Sequence, residues 1–541
     1  MRRLVLGVGL ALLVAGGTAP VGASAPIRPP HFAPSGLVAS SRRFAGESPG
    51  ASTSMTSAPD ARGFATAATI ATSTLSGGSN VNVVAGADVK QLRTINGVNV
   101  QTCNANKQTA QNETTIAVNP ANGSYLVAGV NDYRLYEPTE NRYDGSGGVF
   151  RSTSGGTSWT AGFLPGLVRA NSAAPGPYQS AGDPSVAAGP SGVFWYANLA
   201  FNRGNDANAV AVSRSTNNGG TWATHFVLQT SATAGATLFN DKEWIAADNH
   251  FASTSIYYGK VAYVTWTQFH TTTSGSYLSS PIVFSKTVDG GAHWTAPKAI
   301  DANFPYSQGS VVQVDASGRV HVAFETAVSP TRQGIVEYTS SNGGSTWTRK
   351  VGAYVTDIPN PLAGAKFRTD SFPSLAVDGS TVHLVWANAV KIGGSVYARL
   401  LYMRSTNSGA SWSSPALLAS ASGDDWFPAV AARGGKVYVS WLHRGSANGT
   451  YTARAVASSD GGATWSAPIT ISSASSTVSN GNLFDYPNCS PNFIGDYTGI
   501  AVGPDGGAHP LWTDIRIGND VSTSPSPHAD QDPYTTRLSV S

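Results

Sequence analysis

Charge, sulfur and long apolar runs are all scarce in this chain. Of its 541 residues only 12% are Asp, Glu, Lys or Arg, and the formal net charge is +3. Nucleic acid asks for clustered Lys and Arg, so that partner class is set aside. The ten histidines show no His-Glu-x-x-His spacing, and two cysteines cannot build a structural zinc site by themselves. No Gly-x-Ser-x-Gly elbow points to an esterase. Glycine-rich runs such as Gly503-Pro-Asp-Gly-Gly507 lie between strands rather than ahead of a helix, so they are hairpins and not phosphate loops. The one sustained apolar run, near the N-terminus, is about a dozen residues long and too short for a comfortable membrane span.

What is present begins with that run. Met1-Arg-Arg precedes the apolar core, small residues follow, and Val21-Gly-Ala23 reads as a cleavage signal. Residues 1–23 are therefore expected to be a signal peptide, and the protein to be secreted with no membrane span. Residues 24–78 are rich in Ser, Ala, Thr, Pro and Gly. Such a composition cannot bury enough apolar surface to offset chain entropy, so a flexible leader is expected there. Residues 79–541 change to short strands with tight turns, consistent with 59 glycines and 10% aromatics.

A short hairpin sequence, Ser/Thr-x-(Asp/Asn/Ser)-x-Gly-x-x-Trp, occurs six times and ends at Trp159, Trp222, Trp294, Trp347, Trp412 and Trp465. A small polar residue that bonds its own backbone, followed by glycine where positive φ is needed, makes a tight β-turn. Repetition at this period signals a repeat architecture. These six copies resemble the Asp-box, or bacterial neuraminidase repeat, of the sialidase superfamily. Asp289 and Asp460 keep the aspartate, Asn217, Asn342 and Asn407 replace it, and Ser154 stands in the first copy. The resemblance implies an all-β fold, a single β-propeller of four-stranded antiparallel blades, in which each box joins the two outer strands of a blade.

Upstream of each box lies a small or β-branched first strand: Thr115–Val118, Ser185–Ala188, Trp244–Ala247, Val311–Val314, Ser374–Val377 and Ala429–Ala432, with a seventh at Gly499–Val502. Seven blades are expected, with six, the number in sialidases, as the alternative. The seventh unit has no box, so Val81–Val84 is expected to supply its outer strand and close the ring. Cys103 and Cys489 then fall at neighbouring blades, where a disulfide would clasp the seam in an oxidising compartment.

The segment leading into each first strand opens, in propellers of this superfamily, onto the central funnel. Here it carries Glu113, Asp183, Asp241 with Glu243, Asp370, Asp425 beside Asp424, and Asp496. Carboxylates converging on one funnel repel one another, so some are expected to be protonated, paired with cations or bound to metal. Arg134, Arg203, Arg444 and Arg516 are expected on the same face as substrate-binding cations. Sialidases pair a tyrosine nucleophile with a glutamate and grip the substrate carboxylate with three arginines. The resemblance puts Tyr497 at the tyrosine's place, while Asn112-Glu113-Thr114 stands where the family's Arg-Ile-Pro begins.

Three functional readings remain open at this level: a glycoside hydrolase of exo-sialidase type acting on extracellular glycans or glycoproteins, a non-catalytic propeller that binds glycan or protein, and acids that merely fix loop geometry. No cofactor is required by any of them. Ca²⁺ is compatible with oxygen-rich loops, although no contiguous Asp-x-Asp-x-Asp-Gly loop occurs. A monomer is expected.

Overall fold

The computed structural model describes residues 67–541 apart from 71–72, 85–93, 96–97, 100–109, 138–141, 204, 232–236, 275, 302–305, 330–331, 366, 419–421, 446–449, 478–492, 521–527 and 530. The expected signal peptide and both members of the expected Cys103–Cys489 pair lie outside the described residues. Among the described residues there is no helix, and seven antiparallel sheets of four principal strands follow one another around a ring. Their first strands are Gln111–Val118, Ser180–Ala188, Leu238–Ala247, Ser307–Val314, Ser374–Asp378, Asp424–Arg433 and Gly499–Val502, numbered here as blades 1 to 7.

The six expected turns share one hydrogen-bond scheme. The third residue accepts the backbone N–H of the seventh in every copy: Ser154 from Ser158 at 2.9 Å, Asn217 from Thr221 at 2.9 Å, Asp289 from His293 at 3.0 Å, Asn342 from Thr346 at 2.9 Å, Asn407 from Ser411 at 2.9 Å and Asp460 from Thr464 at 2.9 Å. The first residue's hydroxyl accepts the N–H of the glycine, as from Gly219 to Ser215 at 3.0 Å. Aspartate, asparagine and serine can each fill this position because the shared backbone bond needs one side-chain oxygen, the second atom of Asp460 or Asn217 adding a bond to Thr464 or Thr221.

The fifth-position glycine is required for two separate reasons. Its φ is positive, between 76° at Gly219 and 90° at Gly291. It also packs on the preceding blade: a Cβ would lie 2.3 Å from the Phe284 ring at Gly344, 2.3 Å from the Glu337 carboxylate at Gly409 and 2.6 Å from Val127 at Gly219. The Trp of each box then presses on its own or a neighbouring blade, as Trp222 does edge-on to Tyr196 at 6.2 Å between ring centres.

The apolar core is divided into slabs between adjacent blades. Val127 and Tyr196 share the slab of blades 1 and 2, Trp195 and Trp266 that of blades 2 and 3, and Val311 and Trp386 that of blades 4 and 5. No blade can bury its faces alone, which is why the unit must be repeated. Val81–Asn82 pairs with Asp532–Thr535 on the outer side of blade 7, and Leu75–Gly77 pairs with Leu538–Val540. Ala67 and Ile70 bridge to Leu417 and Trp465 of blades 5 and 6. Ala67, Ile70 and Leu75–Gly77, which composition assigns to the flexible leader, therefore lie along blade edges.

Candidate functional site

The site is built by one irregularity repeated around the ring. In blades 1, 2, 3, 4 and 6 the pairing of first and second strands skips two residues, the first of which has positive φ: Glu113 at 53°, Asp183 at 54°, Lys242 at 53°, Gly309 at 70° and Phe427 at 51°. Left-handed backbone at a non-glycine residue costs about 1–3 kcal/mol and persists where the surroundings enforce it, commonly at functional sites. Four of the seven non-glycine positive-φ residues among those described belong to this set.

Contacts between blades that are not neighbours place these bulges at the axis. Tyr497 of blade 7 donates its hydroxyl to the Pro184 carbonyl of blade 2 at 3.0 Å. The Lys242 ammonium of blade 3 lies 3.9 Å from the Tyr497 ring centre and 4.3 Å from that of Trp244. Arg368, just ahead of blade 5, forms a bidentate pair with Asp496 of blade 7, its Nε at 2.6 Å from Oδ1.

Glu113, Asp183 and Asp241 meet in one pocket with Asn131, Tyr133, Arg368 and Phe493. Asn131 ties the first two together, donating to the Glu113 carboxyl at 2.8 Å and accepting the Asp183 backbone N–H at 2.8 Å. The Asp183 carboxylate accepts the Lys242 backbone N–H at 3.0 Å, and its charge acts on the Asp241 carboxyl. The empty space of the pocket, its open mouth included, is about 320 Å³.

Electrostatics sort these acids. Burial, and then the Asp183 charge, holds Glu113, Asp241 and Glu243 well above the ordinary carboxyl range. Asp496 is also pushed up by burial, against the pull of Arg368. Burial lowers the Lys242 ammonium despite the surrounding acids. For Arg368 burial acts downward, but Asp496 and Glu113 prevail and raise it. Carboxyls raised by burial thus crowd one pocket beside the Arg368 guanidinium.

The other expected site residues go elsewhere. Glu243, one position beyond the bulge residue, is fully buried outside the pocket lining, with neither oxygen hydrogen-bonded. Asp370 caps the Phe372 N–H at 3.1 Å and acts on Lys242 through its charge. Asp425 accepts from the Trp441 indole at 2.7 Å and bonds His443 at 2.8 Å, inside its own blade. Tyr497 spends its hydroxyl on Pro184, and burial raises its phenol far above the usual value. Each expected substrate-binding arginine is paired with a carboxylate: Arg134 with Asp132, Arg203 with Asp144, Arg444 with Asp424 and Arg516 with Asp514. None of the four is among the residues of this pocket.

Sequence reasoning offered Arg368 only as a pairing partner for the acids, as it is for Asp496, and had no role for Tyr133. Tyr133 faces Glu113, whose charge, after burial, raises the phenol. A signal for the bulge exists: proline directly follows Asp183, Phe372 and Phe427, aligning the axial position in three blades.

No protein-family model matches the chain, and no characterised protein matches its sequence. Solved structures similar in shape include a Hadza microbial sialidase at 11% identity, with 76% of this chain and 73% of that one covered and a TM-score of 0.43. A Fusarium graminearum α-L-arabinofuranosidase shares 10% identity over 64% of this chain and 93% of its own, with a TM-score of 0.38. A Trypanosoma rangeli sialidase shares 12% over 65% of this chain, which spans 54% of that longer protein, again with a TM-score of 0.38.

Proposed function

We propose that the protein is a secreted glycoside hydrolase that cleaves extracellular glycans in the axial pocket. Glu113 is the proton donor and Asp183 the carboxylate that acts as base or nucleophile. The observation that carries this is the pocket itself, where the Glu113 carboxyl, pushed well above its ordinary range by burial, accepts from Asn131, while Asn131 accepts the backbone N–H of Asp183 and both acids line the same cavity. Glycosidic cleavage needs that pair: one acid protonates the leaving oxygen while the other carboxylate answers the positive charge growing at the anomeric carbon. Asn131 fixes the Glu113 carboxyl and the Lys242 N–H fixes that of Asp183, so neither must be ordered when substrate binds.

The Asp-box resemblance brings an exo-sialidase form of this reading with Tyr497 as the nucleophile; because the Tyr497 hydroxyl is taken by Pro184, that form would have to use Tyr133, which lines the pocket with Glu113. A non-catalytic glycan-binding propeller is the second reading. The pairing of all four expected substrate-binding arginines with carboxylates of their own favours it, since none is left to grip a substrate carboxylate.

The test is hydrolysis of a panel of fluorogenic glycosides, sialosides included, with and without Ca²⁺. Glu113→Gln and Asp183→Asn should each lose about 10²- to 10⁴-fold in kcat if they are the acid–base pair. Variants that turn over at the parental rate refute the assignment. Glycan binding without turnover of any substrate by the parent protein moves the conclusion to the binding module.

A further inference from the structure

Two carboxyls suffice for glycoside cleavage. This axis holds six, Glu113, Asp183, Asp241, Glu243, Asp370 and Asp496, against the cations Lys242 and Arg368. Arg368 is already matched by Asp496. Lys242 has its ammonium between two aromatic rings, off the pocket lining. Of the six, Glu113, Asp183 and Asp241 line the pocket itself, where Arg368 is the one cation among the described residues.

Two buried atoms at the pocket have no partner. One is Oδ2 of Asp241, a residue only 1% exposed, and the other is Nη1 of Arg368. A buried polar atom left unpaired costs about 1–3 kcal/mol, and both belong to residues that line the cavity. Together they ask a ligand for a donor on the acid side and an acceptor on the guanidinium side. A further anion would join carboxyls that already raise one another in a low-dielectric site, where like charges are costly.

We infer that the sugar unit recognised in the axial pocket carries a protonated primary amine, which docks against Asp241 while a ring or hydroxyl oxygen accepts from Arg368. This rests on the glycan reading above and narrows its substrate class to amino sugars with a free amine. An ammonium beside Asp241 and Glu113 also favours their ionised forms, so binding releases protons. N-acetylation removes both the charge and two of the donors, which makes the acetylated sugar the sharpest control.

Binding is measured by titration calorimetry with glucosamine, galactosamine, their N-acetyl forms, glucose and N-acetylneuraminic acid. The free amines should bind at least about tenfold more tightly than their N-acetyl forms, the scale of one partly buried charge contact. Asp241→Asn should bring that ratio within about threefold. Equal binding of acetylated and free forms, tightest binding of N-acetylneuraminic acid, no binding of either amine, or an unchanged ratio in the folded Asp241→Asn protein overturns the inference. The comparison among ligands needs no variant, so it stands even where Asp241→Asn does not fold. Hydrolysis of matched glycosides separates the two conclusions. Amine-selective binding without turnover keeps this inference and removes the hydrolase, whereas turnover of neutral glycosides with no amine preference does the reverse.

Discussion

Replacing Gly344 by alanine tests why the repeated turn needs its glycine. At this position φ is +84°, and a Cβ would fall 2.3 Å and 2.4 Å from two atoms of the Phe284 ring. Phe284 cannot swing aside, because Tyr263 stacks on it at 5.8 Å and Trp347 meets it edge-on at 5.1 Å. The left-handed backbone alone costs an L-residue about 1–2 kcal/mol. Forcing an extra methyl into a packed interior adds about 1–3 kcal/mol, so Gly344→Ala should destabilise by about 2–5 kcal/mol in all. Gly434 supplies the control, since its φ is +60° and nothing lies within 4 Å of its Cβ position. Gly434→Ala should show the backbone penalty only, about 1–2 kcal/mol. Urea unfolding of both variants and the parent gives the comparison from the shift in midpoint at constant slope. If Gly344→Ala costs no more than Gly434→Ala, interblade packing is not what the glycine provides. A Phe284→Leu partner in a double-mutant cycle should recover part of the loss, which backbone strain would not allow.

Asn217→Ala removes the oxygen that accepts the Thr221 N–H and the Ser215 hydroxyl, and should cost about 1 kcal/mol in the same unfolding assay, whereas Ser154→Asp, which installs the acid found at Asp289 and Asp460, should be neutral or stabilising. Arg368→Met leaves Asp496 buried opposite no cation and should destabilise by about 3–5 kcal/mol, with Asp496→Leu in the same chain restoring much of it; no restoration by the second change argues against a direct pair. Glu243 keeps its proton in the folded protein above the ordinary value of 4.5, because burial and the Asp183 charge oppose ionisation. Its contribution is therefore complete below that value and is lost as pH rises, at about 1.4 kcal/mol per pH unit until its raised pKa is passed. Glu243→Gln should raise the melting temperature at pH 8 relative to the parent and make no such difference at pH 4; an equal shift at both pH values refutes the buried-acid account.

What the chain declares on its own is local and periodic. The turn sequence carries its own hydrogen-bond acceptor, its positive-φ glycine and its Trp, so it forms the same turn wherever it occurs. Asparagine or serine at the third position keeps the turn, because a single oxygen suffices for the shared backbone bond at Asn217 and Ser154 as at Asp460. The count of blades follows from first strands such as Ser185–Ala188 and Gly499–Val502, including the one unit without a box. Glu113 and Asp183 are legible as axial acids for the same reason, since they sit at the repeated position itself.

The gathering of the pocket is not local. Asp241, Glu243, Asp425 and Asp496 lie within one or two residues of that repeated position, and a one-residue offset sends a side chain to another face. Asp425 turns into its own blade, Glu243 is buried outside the pocket, and Asp241 reaches the pocket. Arg368 and Asp496 are 128 residues apart and become partners only because blades 5 and 7 converge on one axis. Tyr133 rather than Tyr497 lines the pocket with Glu113 because the Tyr497 hydroxyl is taken by a carbonyl across the ring. Turns and strands are determined by bonds a residue makes with its near neighbours. Which charges share a low-dielectric site depends on the direction each bulge imposes and on chain segments brought together by the ring, and only the tertiary structure decides that.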